Sequence, residues 1–500
     1  YTLSDDNTLL TAKAGSVTVF TVQLSDASVN GSYTFSLLDN IDHRGSGASV
    51  QDLTFDFTAT DSDGDTTAPA SFTVSIVDDA PVAGVGDHRD VNESHLLTGT
   101  DPDIFALPVS GSLHIDWNSD DHNSGQFANR SVSFASADVK VTDANGGLIT
   151  TGLITTGLTS DGHDVNYAVI GGVLYAYTTS LANPVFLVTL SDGGAGSYTF
   201  TLLGNLDHGT GGADYALNLT FSYTATDSDG DPSSSTFTVA VRDDAPVAGI
   251  GDHLTVYEND LPDGTSPDQP TQVHGHLNID WGADHNNPTS QGGAYDRSVS
   301  FSHEDDAAAN VTSGLTSNGA TILYTLIGGV LVGYTGNEPS TAVADNVVFN
   351  VSLSDDGDGS YTFTLLGNLD HPPGAGANSL DLTFNYTATD SDGDTSPNTF
   401  TVTVIDDVPT AGQVISNNTP VDEAALLTSD PSDNRISGDI NDGLTANGEV
   451  LFGADGYKAG SLTFDGTSGQ PELTSQGAAV HYVIVGNILY GYTGNAPAAG

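Results

Sequence analysis

Short motifs recur along this chain at a spacing of about 165 residues, and this repetition constrains the fold more than any other feature of the sequence. The run T-A-T-D-S-D-G-D occurs three times, with its first acid at Asp61, Asp227 and Asp390, 166 and 163 residues apart. The runs G-S-Y-T-F, D-D-x-P and V-x-E keep the same period. The chain is therefore a tandem array of similar units.

Unit boundaries are predicted at the D-D-x-P motifs, because proline ends a β-ladder and stiffens a connection. These boundaries divide the chain into 1–79, 80–244, 245–407 and 408–500. The first segment is the C-terminal half of a unit, the next two are whole units, and the last is the N-terminal half of a unit. The chain begins at Tyr1 and contains no methionine, so we expect it to be part of a longer protein.

Apolar residues alternate with polar ones in many short segments of each unit. Leu219, Phe221 and Tyr223 alternate with threonine and serine, and Phe237, Val239 and Val241 do the same after the D-S-D-G-D run. A period of two between clusters of Gly, Asp and Asn predicts antiparallel strands with one buried face. The expected fold is all-β, with tandem antiparallel β-sandwiches that are immunoglobulin-like or elaborated, and a unit of this length also allows two subdomains.

The charge of the chain excludes several classes of protein. Sixty-five acidic residues against nine basic ones give a formal net charge of −56, so the chain does not bind nucleic acid or an anionic membrane through its own side chains. No apolar run is long enough to span a membrane, and the absence of cysteine excludes disulfides and thiolate metal sites. Hydrophobic residues still make up 37% of the sequence, which favours a folded chain over an acidic disordered one.

The D-S-D-G-D motif is the strongest candidate for a metal site. Three carboxylates two residues apart, with a glycine that allows a left-handed turn, can surround one Ca²⁺ ion. An EF-hand is excluded because position 12 of that loop lacks glutamate. The alternative is a polar hairpin turn without a metal. The candidate ligands are Asp61, Asp63, Asp65, Asp227, Asp229, Asp231, Asp390, Asp392 and Asp394.

The acids at the unit boundaries form a second candidate calcium site. A D-D pair closes one unit and a glutamate opens the next, so these acids could share a cation that fixes the angle between neighbours. The strand between the two motifs separates this site from D-S-D-G-D of the same unit by about 20 Å, although that loop could lie near the junction at the other end of the unit. The residues are Asp78, Asp79, Glu93, Asp243, Asp244, Glu258, Asp406, Asp407 and Glu423.

Two further motifs are interpreted as mainly structural. Trp117 and Trp281 of the I-D-W motif suggest a sugar platform, but the last unit has Phe452 at this position, which favours core packing. Asp120, Asp284 and Asp455 follow this aromatic residue and are weaker metal candidates. The histidines of N-[IL]-D-H, His43, His208 and His371, are expected to bond to the neighbouring aspartate. The sequence contains no G-x-S-x-G or H-E-x-x-H motif, so we predict that the chain is not an enzyme.

The order L-S-D-x-x-x-G-S-Y-T-F, L-x-N-L-D-H, L-T-F-x-Y-T-A-T-D-S-D-G-D, T-V-x-V-x-D-D-x-P resembles the tandem repeats of giant RTX-type adhesins that Gram-negative bacteria export by type I secretion. The match is best at 192–246 and 355–409. The resemblance implies a secreted or cell-surface location, calcium-dependent folding outside the cell, and an extended stalk. The C-terminal nonapeptide repeats of that family do not occur in this sequence.

The expected function is that of calcium-rigidified extender repeats in a surface adhesin that supports cell adhesion or biofilm formation, with Ca²⁺ as the cofactor. The main partners would be neighbouring repeats of the same chain, and host or environmental glycans would be bound through other regions. The alternative is a calcium-dependent module that binds glycan or a surface directly.

Overall fold

A computed structural model gives the fold of the chain. It describes residues 1–28, 30–43, 47, 49–123, 129–142, 148–150, 157–209, 215–266, 270–288, 295–302, 311–372, 374, 376–411, 421–423, 426, 436–437, 450–456 and 458–497. Within these residues the elements are strands and short 3-10 helices, and none is an α-helix. No helix in the described part of the chain is long and apolar enough to span a membrane.

The strands follow the repeat. The first segment contains β1 (Thr2–Leu3), β2 (Leu9–Ala14), β3 (Val17–Ser25), β4 (Ser32–Leu37), β5 (Val50–Phe57) and β6 (Ala70–Val77). The second contains β7 (His88–Asn92), a 3-10 helix (Glu93–His95), β8 (Pro108–Ser112), β9 (Ser131–Thr142), β10 (Leu148–Thr150), β11 (Thr159–Ser160), β12 (His163–Asp164), β13 (Asn166–Ile170), β14 (Val173–Tyr177), β15 (Pro184–Ser191), β16 (Ser197–Leu202), β17 (Ala216–Thr226) and β18 (Pro232–Arg242).

The third and fourth segments repeat this order. The third contains β19 (His253–Tyr257), a 3-10 helix (Glu258–Asp260), β20 (Gln272–His276), β21 (Ser298–Phe301), β22 (Val311–Ser317), β23 (Ala320–Ile327), β24 (Val330–Thr335), β25 (Val347–Ser354), β26 (Ser360–Leu365), β27 (Ser379–Thr389) and β28 (Thr395–Ile405). The fourth contains β29 (Thr410–Ala411), β30 (Val450–Leu451), β31 (Thr474–Ser475), β32 (Ala478–Ala479), β33 (His481–Val485) and β34 (Ile488–Tyr492).

Each whole unit is a β-sandwich, as the sequence predicts. In the second segment, a sheet of order β10-β9-β17-β18-β7 faces a sheet of order β13-β14-β15-β16-β8. In the third, the order β19-β28-β27-β21 faces β20-β26-β25-β24-β23-β22. Both sandwiches enclose a continuous hydrophobic core, because alternate residues of strands such as β16, β17 and β26 point inward.

The tyrosine of G-S-Y-T-F explains why that motif recurs. Tyr198 is almost fully buried, its ring stacks on Phe237 with centroids 4.0 Å apart, and its hydroxyl donates to the carbonyl of Asp87 at 2.7 Å. A Cβ atom on Gly111, in the neighbouring strand β8, would lie 2.5 Å from that ring. The motif therefore fixes an aromatic residue, a hydrogen bond and a close backbone approach at one point of the core.

One strand pair in each whole unit departs from the expected antiparallel pattern. Strand β7 pairs parallel with β18, with Asn92 opposite Arg242, and β19 pairs parallel with β28, with Tyr257 opposite Ile405. The edge strand that begins a unit thus runs in the same direction as the strand that ends it. As a result, the residues that follow both strands lie at the same end of the sandwich.

The first segment exposes side chains that the whole units bury. Strand β4 is the last strand of its sheet, whereas its counterpart β16 pairs with β8. Tyr33 of β4 is 46% exposed, while Tyr198 at the same position of the repeat is 1% exposed. Burial of this motif therefore requires the first half of a unit to cover the second.

The two tryptophans lie in different cores, so each can report on the unfolding of one unit. In a Trp281→Phe background, Phe221→Ala should lower the free energy of unfolding of the second segment by about 3–5 kcal/mol, because it leaves a cavity in the core. Urea denaturation followed by Trp117 fluorescence measures this change. Val85→Ala, at a residue that is 73% exposed, is the control and should change the free energy by less than about 0.5 kcal/mol. Equal effects of the two substitutions would contradict the assigned core.

Candidate metal centre

The D-S-D-G-D run forms the turn of the long hairpin that closes each sheet. In the third segment, one carboxylate oxygen of Asp390 accepts hydrogen bonds from the backbone N–H groups of Gly393 at 2.9 Å and Asp394 at 2.7 Å. Gly393 has φ +114°, a value that favours glycine, as expected from the motif. The turn holds one oxygen of Asp390 and leaves Oδ2, which is buried, without a hydrogen-bond partner.

This turn does not face solvent but contacts the preceding unit. The backbone N–H of His208 donates to Asp392 Oδ2 at 2.8 Å, and the side-chain amide of Asn205 donates to Asp284 Oδ1 at 2.8 Å. Ser391 in turn donates its backbone N–H to the carbonyl of Asp284 at 3.0 Å. Hydrogen bonds therefore join the loop of the third segment to the N-L-D-H turn of the second.

The acids of the preceding unit are brought to the same place by the parallel strand pair. Because β7 and β18 run side by side in one direction, Glu93 and Asp243 follow them at the same end of the sandwich. Glu93 Oε1 accepts the backbone N–H of Leu206 at 2.7 Å. His208 Nδ1 lies 3.5 Å from both Glu93 Oε2 and Asp243 Oδ1, and all three side chains are buried.

The junction between the second and third segments thus holds carboxylates from three parts of the chain. Several of them have a buried oxygen with no hydrogen-bond partner, among them Glu93 Oε2, Asp207 Oδ1, Asp243 Oδ2, Asp284 Oδ2, Asp390 Oδ2 and Asp392 Oδ1. Buried acceptors without partners are rare in folded proteins, and buried like charges repel one another strongly. A bound cation would satisfy both the unpaired oxygens and the charge.

The pKa values of these acids are raised, mainly because burial disfavours the charged form and next because the carboxylates repel one another. The pKa of Asp243 is raised to about 10, that of Asp390 to about 9 and that of Asp392 to about 6. The pKa values of Glu93 and Asp284 are also raised well above their usual range. Without a cation, the folded junction therefore favours protonated acids.

The other two junctions repeat parts of this arrangement. Between the first and second segments, His43 lies 3.0 Å from Asp78 and donates its backbone N–H to Asp229 at 3.1 Å, while Asn40 donates to Asp120 at 2.7 Å. This junction also leaves Asp227 Oδ2 and Asp231 Oδ2 buried without a partner.

Between the third and fourth segments, one ligand atom each from Glu258, His371 and Asp406 lie within 4.8 Å of one another, and Asn368 donates to Asp455 at 2.9 Å. The pKa of Glu258 is raised to about 8 by burial, and by Asp455 and Asp406, although the hydrogen bond from Leu369 opposes this shift.

The two candidate sites predicted from the sequence therefore lie together, but across units. D-S-D-G-D of one unit meets the D-D pair of the preceding unit, which is the alternative placement that the sequence left open. Glu93 lies beside Asp243 and not beside Asp78 and Asp79, because β7 carries it to the far end of its unit. Asp61, Asp63 and Asp65 are exposed, and Glu423 is exposed as well.

The two members of each D-D pair have different surroundings. Asp243 faces the acid cluster, whereas Asp244 accepts three hydrogen bonds from protein groups, two from Thr100 and one from Ala283. Sequence reasoning treated both as equal candidates for metal ligands, since adjacent aspartates give no sign of which way each side chain points.

Several residues of the junction were ranked too low or missed by sequence reasoning. Asp284 is fully buried in the cluster, although its motif gave it only a weak metal assignment. Asp207 of N-L-D-H has a buried oxygen without a partner and raises the pKa of both Asp284 and Asp392. The recurrence of N-[IL]-D-H at intervals of 165 and 163 residues was the available signal, but it did not show that the motif faces the next unit.

The tryptophans are structural. Trp281 is 5% exposed, its indole N–H donates to the carbonyl of Gly357 at 2.8 Å, and the Arg297 guanidinium lies 4.6 Å from its ring centroid. Trp117 has the same surroundings with Gly194 and Arg130. Neither ring is available as a platform for a sugar.

Comparisons with known proteins give one family match. The model of a domain of unknown function, DUF5801, matches residues 253–403. No curated protein matches the chain.

Similar solved structures include mouse clustered protocadherin PcdhgC3 EC1-3, with 12% identity, TM-score 0.17, and coverage of 80% of this chain and 88% of that one. They also include the Ig1-2 module of the Drosophila receptor protein tyrosine phosphatase DLAR, with 10% identity, TM-score 0.13, and coverage of 65% of this chain and 98% of that one. Because these TM-scores are below 0.5, we draw no conclusion from them about this chain.

The raised pKa values predict the pH dependence of the cation-free protein. A group whose pKa is higher in the folded than in the unfolded state stabilises the fold below its unfolded pKa, near 4, and this contribution is lost as the pH rises through its folded pKa. In metal-free buffer, the melting temperature should therefore fall as the pH rises above about 4, with the contribution of Asp392 lost by about pH 6, that of Asp390 by about pH 9 and that of Asp243 by about pH 10. Thermal melting by circular dichroism measures the trend. Asp243→Asn/Asp390→Asn should flatten it, and a melting temperature that rises with pH would refute it.

Proposed function

We propose that this chain is a calcium-dependent extender, in which Ca²⁺ bound at each junction fixes one β-sandwich unit to the next. The proposal rests on the geometry of the junction between the second and third segments. There the D-S-D-G-D loop and Asp284 of the third segment lie beside Glu93 and Asp243 of the second, and these acids have buried carboxylate oxygens without a hydrogen-bond partner.

The donor set suits calcium better than a softer metal. Ca²⁺ takes six to eight oxygen ligands, and aspartate and glutamate are its usual charged ligands. His208 contributes as an organiser rather than a ligand, because its Nδ1 lies 2.7 Å from the carbonyl of Leu206 and its Nε2 lies 3.2 Å from that of Val241. These contacts tie the N-L-D-H turn to the end of β18, next to the acids.

The position of the site between units explains how calcium would produce an extender. The junction between the second and third segments would draw its calcium ligands from both units. An ion bound there would therefore resist bending and separation of the two units. Many similar units in series then set the length of the array, while each junction contributes to its stiffness. The neighbouring repeats of the same chain are thus the principal partners.

The same charges suggest how folding could be confined to the outside of a cell. At low calcium, the buried acids of the junction repel one another and destabilise the folded array. Calcium at millimolar concentration binds the folded form and stabilises it by mass action. Such behaviour suits a secreted surface adhesin of a Gram-negative bacterium that passes through a type I channel unfolded. Support for cell adhesion or biofilm formation follows from that context, and glycan contacts would fall to other regions of the parent protein.

A calcium titration of the whole chain tests the proposal. In a Trp117→Phe background, Trp281 reports on the third segment, whose D-S-D-G-D loop lies in the junction with the second segment. At a calcium concentration 1,000 times the Kd, one bound ion adds about 4 kcal/mol, which corresponds to about 8–16 °C for a unit of this size. Thermal melting followed by fluorescence, in a chelator and in rising CaCl₂, measures this shift.

The repeat provides a matched control for the loop. Asp390→Asn/Asp392→Asn should abolish the calcium-induced rise without lowering the melting temperature in chelator, since neutral amides remove the repulsion as well as the ligands. Asp61→Asn/Asp63→Asn changes the same motif where it is exposed, and it should leave the Trp281 transition unchanged. No rise with calcium in the unsubstituted chain would disprove the calcium mechanism.

The number of carboxylates predicts more than one calcium ion per complete junction. Seven acids lie there, Glu93, Asp207, Asp243, Asp284, Asp390, Asp392 and Asp394, and one divalent cation balances only two charges. Native mass spectrometry of the chain should therefore show at least two ions bound at this junction, and Asp207→Asn should lose one of them. Asp164→Asn, at an exposed position, should lose none. Unchanged calcium content in Asp207→Asn would exclude Asp207 as a ligand.

A further inference from the structure

The second aspartate of each D-D pair makes a connection that needs no cation. Asp244 is 2% exposed, and its Oδ2 accepts the backbone N–H of Thr100 at 3.0 Å and that of Ala283 at 2.9 Å. Its Oδ1 accepts the Thr100 hydroxyl at 2.5 Å. Thr100 belongs to the second segment and Ala283 to the third, so one side chain on the linker bonds to both neighbouring units.

The next junction repeats the arrangement with different residues. Asp407 accepts the backbone N–H of Thr265 at 2.9 Å, the Thr265 hydroxyl at 2.5 Å, and the backbone N–H of Ala454 at 2.9 Å. At the first junction, Asp79 accepts the backbone N–H of Ser119 at 3.2 Å and keeps Oδ1 buried without a partner.

We infer that Asp244 and Asp407 are positioning residues that set the orientation of neighbouring units, whether or not calcium is bound. This inference rests on the proposed extender function and adds a second, cation-independent component to it. Three protein donors satisfy the buried charge of Asp244, whereas Oδ2 of Asp243 and Oδ2 of Asp390 have no hydrogen-bond partner. Hydrogen bonds to a carboxylate are among the stronger ones in proteins.

The backbone around this carboxylate is shaped to receive it. Gly282 has φ +69°, and a Cβ atom there would lie 2.6 Å from Asp244 Oδ2. Gly453, which has φ +75°, would place a Cβ atom against Asp407 in the same way. Thr100 follows Glu93 by seven residues in the same loop, so one loop supplies both an acid to the acid cluster and a hydrogen-bond donor to Asp244. The D-D pair that ends the second segment therefore contacts its surroundings at two adjacent residues, Asp243 in the acid cluster and Asp244 at its three hydrogen-bond donors.

Distances between spin labels test the inference, because the chain has no cysteine of its own. Val169→Cys and Leu326→Cys place labels at matching exposed positions of the second and third segments. Pulsed electron paramagnetic resonance then measures the distribution of their separation, in CaCl₂ and in chelator. Asp244→Asn should broaden the distribution in both buffers, while native mass spectrometry shows the same number of bound calcium ions as in the unsubstituted chain.

Two control variants separate this role from metal binding. Asp243→Asn should bind less calcium. Its distribution of label distances in CaCl₂ should therefore match the distribution that the unsubstituted chain shows in chelator. Asp407→Asn, which changes the next junction, should leave the distribution between these labels unchanged. Thr100→Val removes only the hydroxyl donor and should give an intermediate width, which keeps the test available if Asp244→Asn does not fold.

A distribution for Asp244→Asn as narrow as that of the unsubstituted chain would overturn the inference, and so would a loss of calcium equal to that of Asp243→Asn. Failure of the extender proposal looks different, because calcium would then neither bind at the junction nor narrow the distribution in the unsubstituted chain.

Discussion

Several carboxylates are buried next to one another where two units meet, and the stability of each junction is set by how their charge is balanced. Burial raises the pKa of Asp243 to about 10 and that of Asp390 to about 9, which shows how strongly the folded junction resists their ionisation. Positive groups are scarce, since the chain has nine lysines and arginines against 65 acids. The junction must therefore hold protons or bind cations, and at neutral pH a divalent cation relieves the repulsion more effectively.

The topology of the sandwich places these acids where they can act between units. The hairpin turn of β17 and β18 lies at one end of the unit, and the parallel pair β7 and β18 delivers Glu93 and Asp243 to the other end. Strand β18 has eleven residues and is about 36 Å long, which is too far for one ion to reach both sets. Each whole unit thus has its D-S-D-G-D turn at one end and its glutamate and D-D pair at the other. A candidate site forms where the turn of one unit meets the glutamate and the D-D pair of the unit before it.

The core and the junction contribute differently to the array. The core of each whole unit is closed by its own two sheets, with Tyr198 and Phe237 stacked in one and Tyr361 and Phe400 in the other. The junction joins units by hydrogen bonds such as that from Asn205 to Asp284, and by the contacts of Asp244 to both neighbours. Hydrophobic burial is therefore concentrated within single units, with Ala283 of the third segment also packed against the core of the second, whereas hydrogen bonds of polar side chains join neighbouring units.

The repeat, the all-β sandwich and the turn at D-S-D-G-D could be predicted from the amino-acid sequence, because the motifs and the alternation of apolar and polar residues depend on residues close together in the chain. Gly393 at φ +114° and the inward-facing Phe221 follow from such local patterns. The folded structure was needed to show that Glu93 lies with Asp243 and near the loop of the next unit, and that Asp244 turns away from them. These contacts join residues about 40 to 300 positions apart, and the parallel strand pair that brings Glu93 beside Asp243 leaves no local signal in the sequence.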